Sequence, residues 1–213
     1  MWQQSDKYKG KYRIPSNRLR GYDYGANGCY FVTICTKNKE HYFGEILNGE
    51  LQPSEIGEIA QSEWWKTKEL RLDMNLILDE FIVMPNHIHG IIVIGENEHN
   101  TQCSDEIQCG NAIGRDALCG NAIGRDALQC VSTDMQCTEQ YKNKFGAQSK
   151  NLSSIIRGYK TAVTTYARRN NIVFAWQERF HDHIIRNHEA LVNIRGYIFN
   201  NPSNWNEDEL NDW

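Results

Sequence analysis

Two histidines stand two positions apart in HIHGIIVI (87–94), a stretch dominated by β-branched residues. Side chains of a strand alternate between its two faces, so the imidazoles of His87 and His89 are expected on the same face. Neutral imidazoles are common ligands of divalent metals, and this spacing therefore predicts a bidentate metal platform. The same spacing also fits two polar residues on the solvated face of a half-buried strand, and for the pair taken alone that interpretation stays open.

A second group able to do chemistry lies near the end of the chain, in YIFNNP (197–202). Tyr197 and Asn201 are four residues apart, so they share one face if this segment is helical. A tyrosine hydroxyl can attack a phosphodiester and form a covalent phosphotyrosine, provided that a base or a metal helps to activate the phenol. An asparagine amide oxygen can bind the same metal. The alternative interpretation is a core aromatic residue followed by a helix-terminal asparagine before Pro202.

Alternating strands and helices are predicted around these residues. Strands are predicted where β-branched and aromatic residues concentrate, and helices where apolar residues recur every three or four positions. The predicted strands are 29–36, 41–47, 75–85, 87–94 and 181–187, with a hairpin turn at Asn48-Gly49. The predicted helices begin at Ser54, run over 150–169, and run over 188–201. This order predicts an α+β protein: a ferredoxin-like sandwich with an antiparallel sheet and helices on one face.

Charge is segregated along the chain, although 23 basic and 27 acidic residues leave a formal net charge of −4. Basic residues dominate 1–20 and 142–169, and acidic residues gather in 206–213. Local sign decides where a polyanion can bind, so the basic segments are candidate nucleic-acid surfaces, while each also fits a solvated face. The candidate DNA-binding residues are Arg13, Arg18, Arg20, Arg157 and Lys160.

A perfect tandem repeat interrupts the pattern of elements, because CGNAIGRDAL occupies 109–118 and recurs at 119–128. The surrounding stretch, 96–146, is polar and lacks periodicity, which predicts an inserted and mostly disordered loop. Five of the seven cysteines lie within it, and no C-x2-C pair occurs, which argues against a disulfide scaffold and a thiolate zinc site. The predicted division is a basic arm over 1–20, a domain over 21–205 carrying this insertion, and an acidic tail over 206–213.

Several locations are disfavoured by the sequence. It contains no run of apolar residues long enough for a membrane span, and no apolar stretch follows the basic N-terminus as a secretory signal would require. An odd number of cysteines without a scaffold pattern fits a reducing compartment. We therefore expect a cytoplasmic protein without a membrane partner.

Four segments, in this order, resemble the HUH single-tyrosine transposases, and among them the REP-associated tyrosine transposases. They are FVTICT, FIVMPNHIHGIIVI, FAWQERFHDHIIRN and YIFNNPSNW. The likeness covers most of 13–205 and leaves out the insertion. The specific signal is the combination of MPNHIH, WQERF-x-DHIIR and YIFNNP, because any one of these pieces alone is weak.

The resemblance implies an HUH nuclease fold in which His87 and His89 hold a divalent metal, Mg²⁺ or Mn²⁺. By position it makes Tyr197 the nucleophile. Asn201 stands where insertion-sequence relatives have glutamine, which keeps the amide chemistry and makes Asn201 a candidate third ligand. The implied reaction is cleavage and rejoining of single-stranded or hairpin DNA through a 5′-phosphotyrosine intermediate, in a bacterial cytoplasm and associated with the nucleoid.

Other functions remain open at this point. One is a hairpin-DNA-binding protein whose chemistry is dormant. Another is a relaxase or replication initiator, which the short chain and the single candidate tyrosine within YIFNNP disfavour. Both a monomer and a homodimer are compatible with the resemblance. Tyr159 and Tyr166 are rival nucleophiles, but they fall on the apolar face of the helix predicted over 150–169. His181 and His183 are expected to serve structure or DNA contact rather than a second metal site.

Overall fold

The structure, a computed structural model, describes residues 18–19, 21–101, 149–208 and 210–211 of the 213-residue chain. Its strands are β1 (Gly28–Cys35), β2 (Gly44–Leu47), β3 (Glu50–Pro53), β4 (Leu76–Met84), β5 (His87–Ile94) and β6 (His181–Ile185). Its α-helices are α1 (Glu55–Glu69), α2 (Leu152–Arg169) and α3 (His188–Asn200). None of the described helices is long and apolar enough to cross a membrane. The tandem repeat and positions 102–146 of the predicted insertion lie outside the described residues.

Four strands form the main sheet in the order β4-β5-β1-β6, and all neighbouring pairs are antiparallel. A strand, a helix, two strands, a helix and a strand follow one another along the chain, with the small β2–β3 hairpin inserted before α1. This is the ferredoxin-like order, so the predicted α+β class and antiparallel sheet are confirmed.

The larger hydrophobic core lies between the sheet and the helices α1 and α2. Alternate residues of the two central strands enter it, because the side chains of a strand point in turn to opposite faces. The strand residues are Tyr30, Val32 and Ile34 from β1 and Ile88, Ile92 and Ile94 from β5. Trp64 of α1 and Tyr159 of α2 are almost fully buried, and the Tyr159 hydroxyl donates to the Ala60 carbonyl at 2.9 Å.

The third helix lies on the other face of the sheet. Leu191 and Ile198 of α3 pack with Ile91 of β5 and Ile185 of β6 in a separate small cluster. The sandwich expected from the sequence places helices on one face, and α1 and α2 occupy it. Because those two helices already cover that face, the chain that leaves the edge strand β6 returns across the opposite face. The helix α3 therefore packs on the face to which the odd-numbered residues of β5 point.

The strand β5 is held against α1 at one glycine. A Cβ atom on Gly90 would lie 2.4 Å from Cζ2 of Trp64, so only glycine allows the indole to pack this closely on the strand. The Trp64 ring also stacks on Phe81 of the neighbouring strand, with 4.5 Å between ring centroids. This contact anchors β5 next to His89 from the face opposite to its imidazole.

Local sequence signals explain most element boundaries. Ser54 caps α1 by accepting a hydrogen bond from the Gly57 amide at 3.1 Å, and Asn187 caps α3 in the same way through Ala190 at 2.8 Å. Asn48 and Gly49 both have positive φ, as a tight hairpin turn requires, so the predicted turn is confirmed. The predicted strand 41–47 is shortened to Gly44–Leu47, because Phe43 is buried and bonds the Pro85 carbonyl instead of a strand partner.

The two rival nucleophiles, Tyr159 and Tyr166, both pack against the larger core. Tyr159 is 1% exposed within the larger core, and Tyr166 packs at the edge of that core while its hydroxyl donates to Oε1 of Glu55 at 2.8 Å. Their expected role in core packing is confirmed, and both lie on the face of the sheet opposite to His87 and His89.

Candidate active site

The two histidines of β5 form a buried pair on the sheet face that α3 covers. His87 is 0% and His89 2% exposed, and their Nε2 atoms are 3.0 Å apart. This burial excludes the alternative of two polar residues on a solvated face. Metal–imidazole bonds of about 2.0–2.1 Å bring two ligand nitrogens on one ion to roughly this separation, so the pair fits a shared cation.

Hydrogen bonds at the far ring nitrogens orient both imidazoles. Nδ1 of His87 donates to Oδ1 of Asn86 at 2.7 Å, which leaves the lone pair of Nε2 directed towards His89. Nδ1 of His89 lies 2.9 Å from Oγ1 of Thr33. A hydroxyl can accept as well as donate, so Thr33 can also support the His89 tautomer that offers Nε2 as a ligand. Such outer partners fix ring orientation in metal sites.

Burial also sets the protonation of the pair. Burial lowers the pKa of His87 well below its ordinary value, and the nearby His89 and Lys39 lower it further. Burial lowers the pKa of His89 to about 4, against a smaller opposing effect of the Asp208 carboxylate. Because both groups are then neutral near pH 7, both imidazoles are in the form that binds metal ions.

A carboxylate from the end of the chain completes a three-residue group. Potential ligand atoms of His87, His89 and Asp208 all lie within 4.8 Å of one another, so this group could hold a metal ion. Asp208 follows directly after a short 3₁₀ helix over Trp205–Glu207, and the Trp205 ring lies 6.0 Å from that of His87. Two imidazoles and one carboxylate suit divalent cations such as Mn²⁺, and the carboxylate oxygen also suits Mg²⁺.

Asn201 adjoins this group at the end of α3. Its side-chain nitrogen donates to Oδ2 of Asp208 at 3.0 Å, and the residue is 2% exposed. Its Oδ1 is buried and has no hydrogen-bond partner among the described residues. A buried amide oxygen without a partner is uncommon in folded proteins and is available as an acceptor or a ligand. The structure therefore places Asn201 beside Asp208 of this group, and its role as a ligand stays a prediction.

The hydroxyl of Tyr197 lies 3.2 Å from Nε2 of His89. Its ring stands edge-on to Phe31, and Phe31 in turn stacks on the His89 ring with 5.2 Å between centroids. Tyr197 is nevertheless 46% exposed, so an external substrate can reach it. The helix that carries Tyr197 is fastened to the sheet by Arg195, which donates two hydrogen bonds to the Asp79 carboxylate, at 3.1 and 2.5 Å.

Of the predicted DNA-binding residues, the three that the structure describes do not join this site. Arg157 and Lys160 belong to α2 on the opposite face of the sheet, and the Lys160 ammonium donates to the Gln177 carbonyl while lying over the Trp176 ring. The Arg18 guanidinium lies over the ring of Phe180, 5.0 Å from its centroid. Their part in DNA binding stays a prediction. Arg13 and Arg20 lie outside the described residues.

Sequence reasoning missed Thr33, Asn86 and Asp208. Asn86 directly precedes the histidine pair in sequence, and an amide beside a candidate ligand is a recognisable outer partner. Thr33 becomes visible only through the register that pairs it with His89. Asp208 lies within the predicted acidic tail, where no local spacing distinguishes it from the neighbouring acidic residues.

Comparison with known proteins finds a relative that matches most of this chain. The chain is 33% identical over 196 residues to an uncharacterized protein of Haemophilus influenzae, covering 92% of this chain and 91% of that protein. No protein-family model matches the chain. It is also similar to the solved structure of a REP-associated tyrosine transposase bound to a REP hairpin, at 16% identity and a TM-score of 0.49, covering 94% of this chain and 80% of that one. A Deinococcus radiodurans protein described as a candidate transposase gives 12% identity and a TM-score of 0.34, covering 86% of this chain and 95% of that one.

Proposed function

We propose that this chain, which belongs to the same family as the uncharacterized Haemophilus influenzae protein, is a metal-dependent HUH transposase that cuts and rejoins single-stranded or hairpin DNA. The observation that carries the proposal is the 3.2 Å between the Tyr197 hydroxyl and Nε2 of His89. This contact places an exposed phenol next to a buried pair of neutral imidazoles and a carboxylate. A nucleophile next to a candidate cation site is what cleavage of a phosphodiester through a covalent tyrosine intermediate needs.

The residues that would hold the metal are His87, His89 and Asp208, with the amide oxygen of Asn201 as a further ligand. When bound, Mn²⁺ or Mg²⁺ would supply Lewis-acid polarisation of a phosphate oxygen. The imidazoles favour Mn²⁺ over Mg²⁺, because Mg²⁺ prefers oxygen ligands. Nε2 of His89 has one lone pair, so at any one time this atom either binds the metal or accepts a hydrogen bond from the Tyr197 hydroxyl.

Tyr197 performs the covalent step. Its oxygen forms a bond to the phosphorus of a phosphodiester, and the bond from that phosphorus to the 3′ oxygen of the preceding nucleotide breaks. The phenol proton leaves to solvent, which reaches this half-exposed side chain, and the departing 3′ oxygen takes a proton from water. The product is a 5′-phosphotyrosine and a 3′-hydroxyl. Attack by another 3′-hydroxyl reverses the step, so strands are rejoined without a nucleotide cofactor.

Neighbouring side chains keep the reacting groups in place. Asn86 and Thr33 orient the two imidazoles, and Phe31 packs against both His89 and Tyr197. The bidentate contact between Arg195 and Asp79 fixes α3, and with it the position of Tyr197 over the sheet. Rigid supporting contacts of this kind matter because small displacements of a nucleophile strongly reduce its rate.

The proposal is tested with a hairpin oligonucleotide that carries single-stranded flanks, incubated with the full chain and Mn²⁺. We expect a protein–DNA adduct that survives SDS, and we expect Tyr197→Phe to abolish it. Tyr166→Phe is the matched control, since Tyr166 lies on the opposite face and is expected to leave the adduct unchanged. His87→Ala is expected to abolish cleavage while retaining most of the DNA affinity.

Two results would count against the proposal. An adduct formed equally well by Tyr197→Phe would remove Tyr197 as the nucleophile. Hairpin binding without any adduct under Mn²⁺ or Mg²⁺ would instead favour the dormant DNA-binding protein.

A further inference from the structure

The edge strand β6 adds a second pair of histidines to the face that carries the candidate active site. In the antiparallel register His181 pairs with Thr33 and His183 pairs with Phe31. Directly paired residues on adjacent strands point to the same face. Thr33 and Phe31 both contact His89, so the side chains of His181 and His183 lie on the same face as His87 and His89. Both residues of the β6 pair are exposed, in contrast to the buried pair of β5.

The acidic residue between them points away. Asp182 pairs with Val32 of the larger core, and its side chain is only 2% exposed and lies 3.8 Å from the Arg18 guanidinium. The strand β6 therefore contributes two imidazoles and no carboxylate to the face of the candidate active site. Just beyond the strand, Arg186 is exposed as well. The edge thus has the chemistry of an anion-binding surface, with donors and no fixed negative charge from β6.

This surface is continuous with the proposed nucleophile. The ring of Tyr197 lies 6.1 Å from that of Phe31, which is paired with His183 on the adjacent strand. Tyr197, Phe31 and His183 form a row from the middle of the sheet to β6, the edge strand among the described residues. Unpaired bases stack on aromatic rings, including that of histidine, and phosphates accept hydrogen bonds from imidazole nitrogens. A single nucleic-acid strand is therefore the occupant that fits this row.

We propose that His181 and His183 bind the single-stranded nucleotides next to the phosphate attacked by Tyr197, so that the strand leaves the active site across β6. This inference rests on the proposed function and adds the path of the substrate. It places the substrate on the sheet face of the histidines, and not along the basic residues of α2 on the opposite face.

The test measures binding of a fluorescent single-stranded oligonucleotide to the full chain by anisotropy, in the Tyr197→Phe background so that no covalent adduct forms. Replacing both histidines, His181→Ala with His183→Ala, is expected to weaken binding by roughly tenfold, the size of one lost stacking contact. His99→Ala is the matched control, because His99 is an exposed histidine beside Asp73, away from this row. We expect the control to change affinity by less than about twofold.

A second measurement maps the strand directly. An oligonucleotide with 5-iodouracil in the flank is expected to cross-link to the peptide over 181–186 on illumination. His183→Phe separates two contacts, since retained affinity assigns base stacking and lost affinity assigns a phosphate hydrogen bond. The path would be overturned if the double alanine variant bound the oligonucleotide as tightly as its Tyr197→Phe parent. The proposed function would remain intact in that case, provided that the unsubstituted chain still formed adducts through Tyr197. Failure of the unsubstituted chain to bind or cleave any DNA would instead overturn the proposed function.

Discussion

The hydroxyl of Thr33 lies 2.9 Å from Nδ1 of His89, although 56 residues separate the two in sequence. The contact exists because β1 and β5 are neighbours in the sheet and their register places these residues opposite each other. It gives one of the two buried imidazoles an oriented outer partner, as Asn86 does for His87. The metal-binding competence proposed for the site therefore depends on side chains that are not themselves ligands.

Replacing Thr33 with valine should weaken metal binding by about 10- to 100-fold, because the isosteric side chain no longer bonds the His89 ring. The measurement is titration calorimetry with Mn²⁺. Thr33→Ser keeps the hydroxyl and should restore most of the affinity. Thr164→Val removes a threonine hydroxyl bonded to the Lys160 carbonyl on α2 and should leave metal affinity unchanged. Wild-type affinity in Thr33→Val would show that this hydrogen bond has no part in the site.

Asp208→Asn removes the charge of the carboxylate that accompanies the two histidines. We expect Mn²⁺ affinity to fall by at least about tenfold, because a charged oxygen ligand is replaced by a neutral one. Electron paramagnetic resonance of Mn²⁺ measures the bound fraction without requiring activity. Glu207→Gln is the matched control, since Glu207 is the adjacent acidic residue and is exposed. An equal loss of Mn²⁺ affinity in both variants would mean that the local negative charge, and not ligation by Asp208, determines binding.

Stability of the metal-free chain should fall as the pH drops from about 7 towards 4. Burial holds the folded-state pKa of His89 at about 4 and that of His87 well below its ordinary value. The unfolded chain, whose histidines titrate near pH 6.5, then binds more protons than the folded chain, so acid favours unfolding. For His89 the loss over this range is on the order of 3 kcal/mol. Thermal unfolding in EDTA measures it.

The control for this pH dependence is His89→Gln, in which one of the two titrating groups is absent. Its unfolding free energy should depend less steeply on pH between about 7 and 5 than that of the unsubstituted chain. Identical slopes for the two proteins would mean that His89 does not titrate differently in the folded and unfolded states.

A single chain should carry a complete active site, because the Tyr197 hydroxyl reaches His89 of the same chain. Mixing the inactive variants Tyr197→Phe and His89→Ala should therefore not restore cleavage. If the helix bearing Tyr197 were exchanged between two subunits, half of the sites in a mixed dimer would combine an intact tyrosine with intact histidines. Recovery of the SDS-resistant adduct in the mixture would accordingly contradict a site completed within one chain, and light scattering would report the oligomer.

Periodicity in the sequence was enough to predict the main strands and helices and the pairing of side chains within each element. The alternation of HIHGIIVI puts His87 and His89 on one face in any strand, and a helix through YIFNNP puts Tyr197 and Asn201 on one side. These relationships are local, because they follow from the repeat of a single element and need no knowledge of its neighbours.

Only the tertiary structure decided which of these faces meet. The register of β1 with β5 and β6 brings Thr33 to His89 and sets His181 and His183 on the same face. Because α3 returns across that face, Tyr197 lies next to His89, and the segment after α3 places Asp208 beside the two histidines. No local repeat encodes such contacts, since they arise when distant segments bury their apolar sides together, with α1 and α2 filling one face of the sheet and leaving the other to α3.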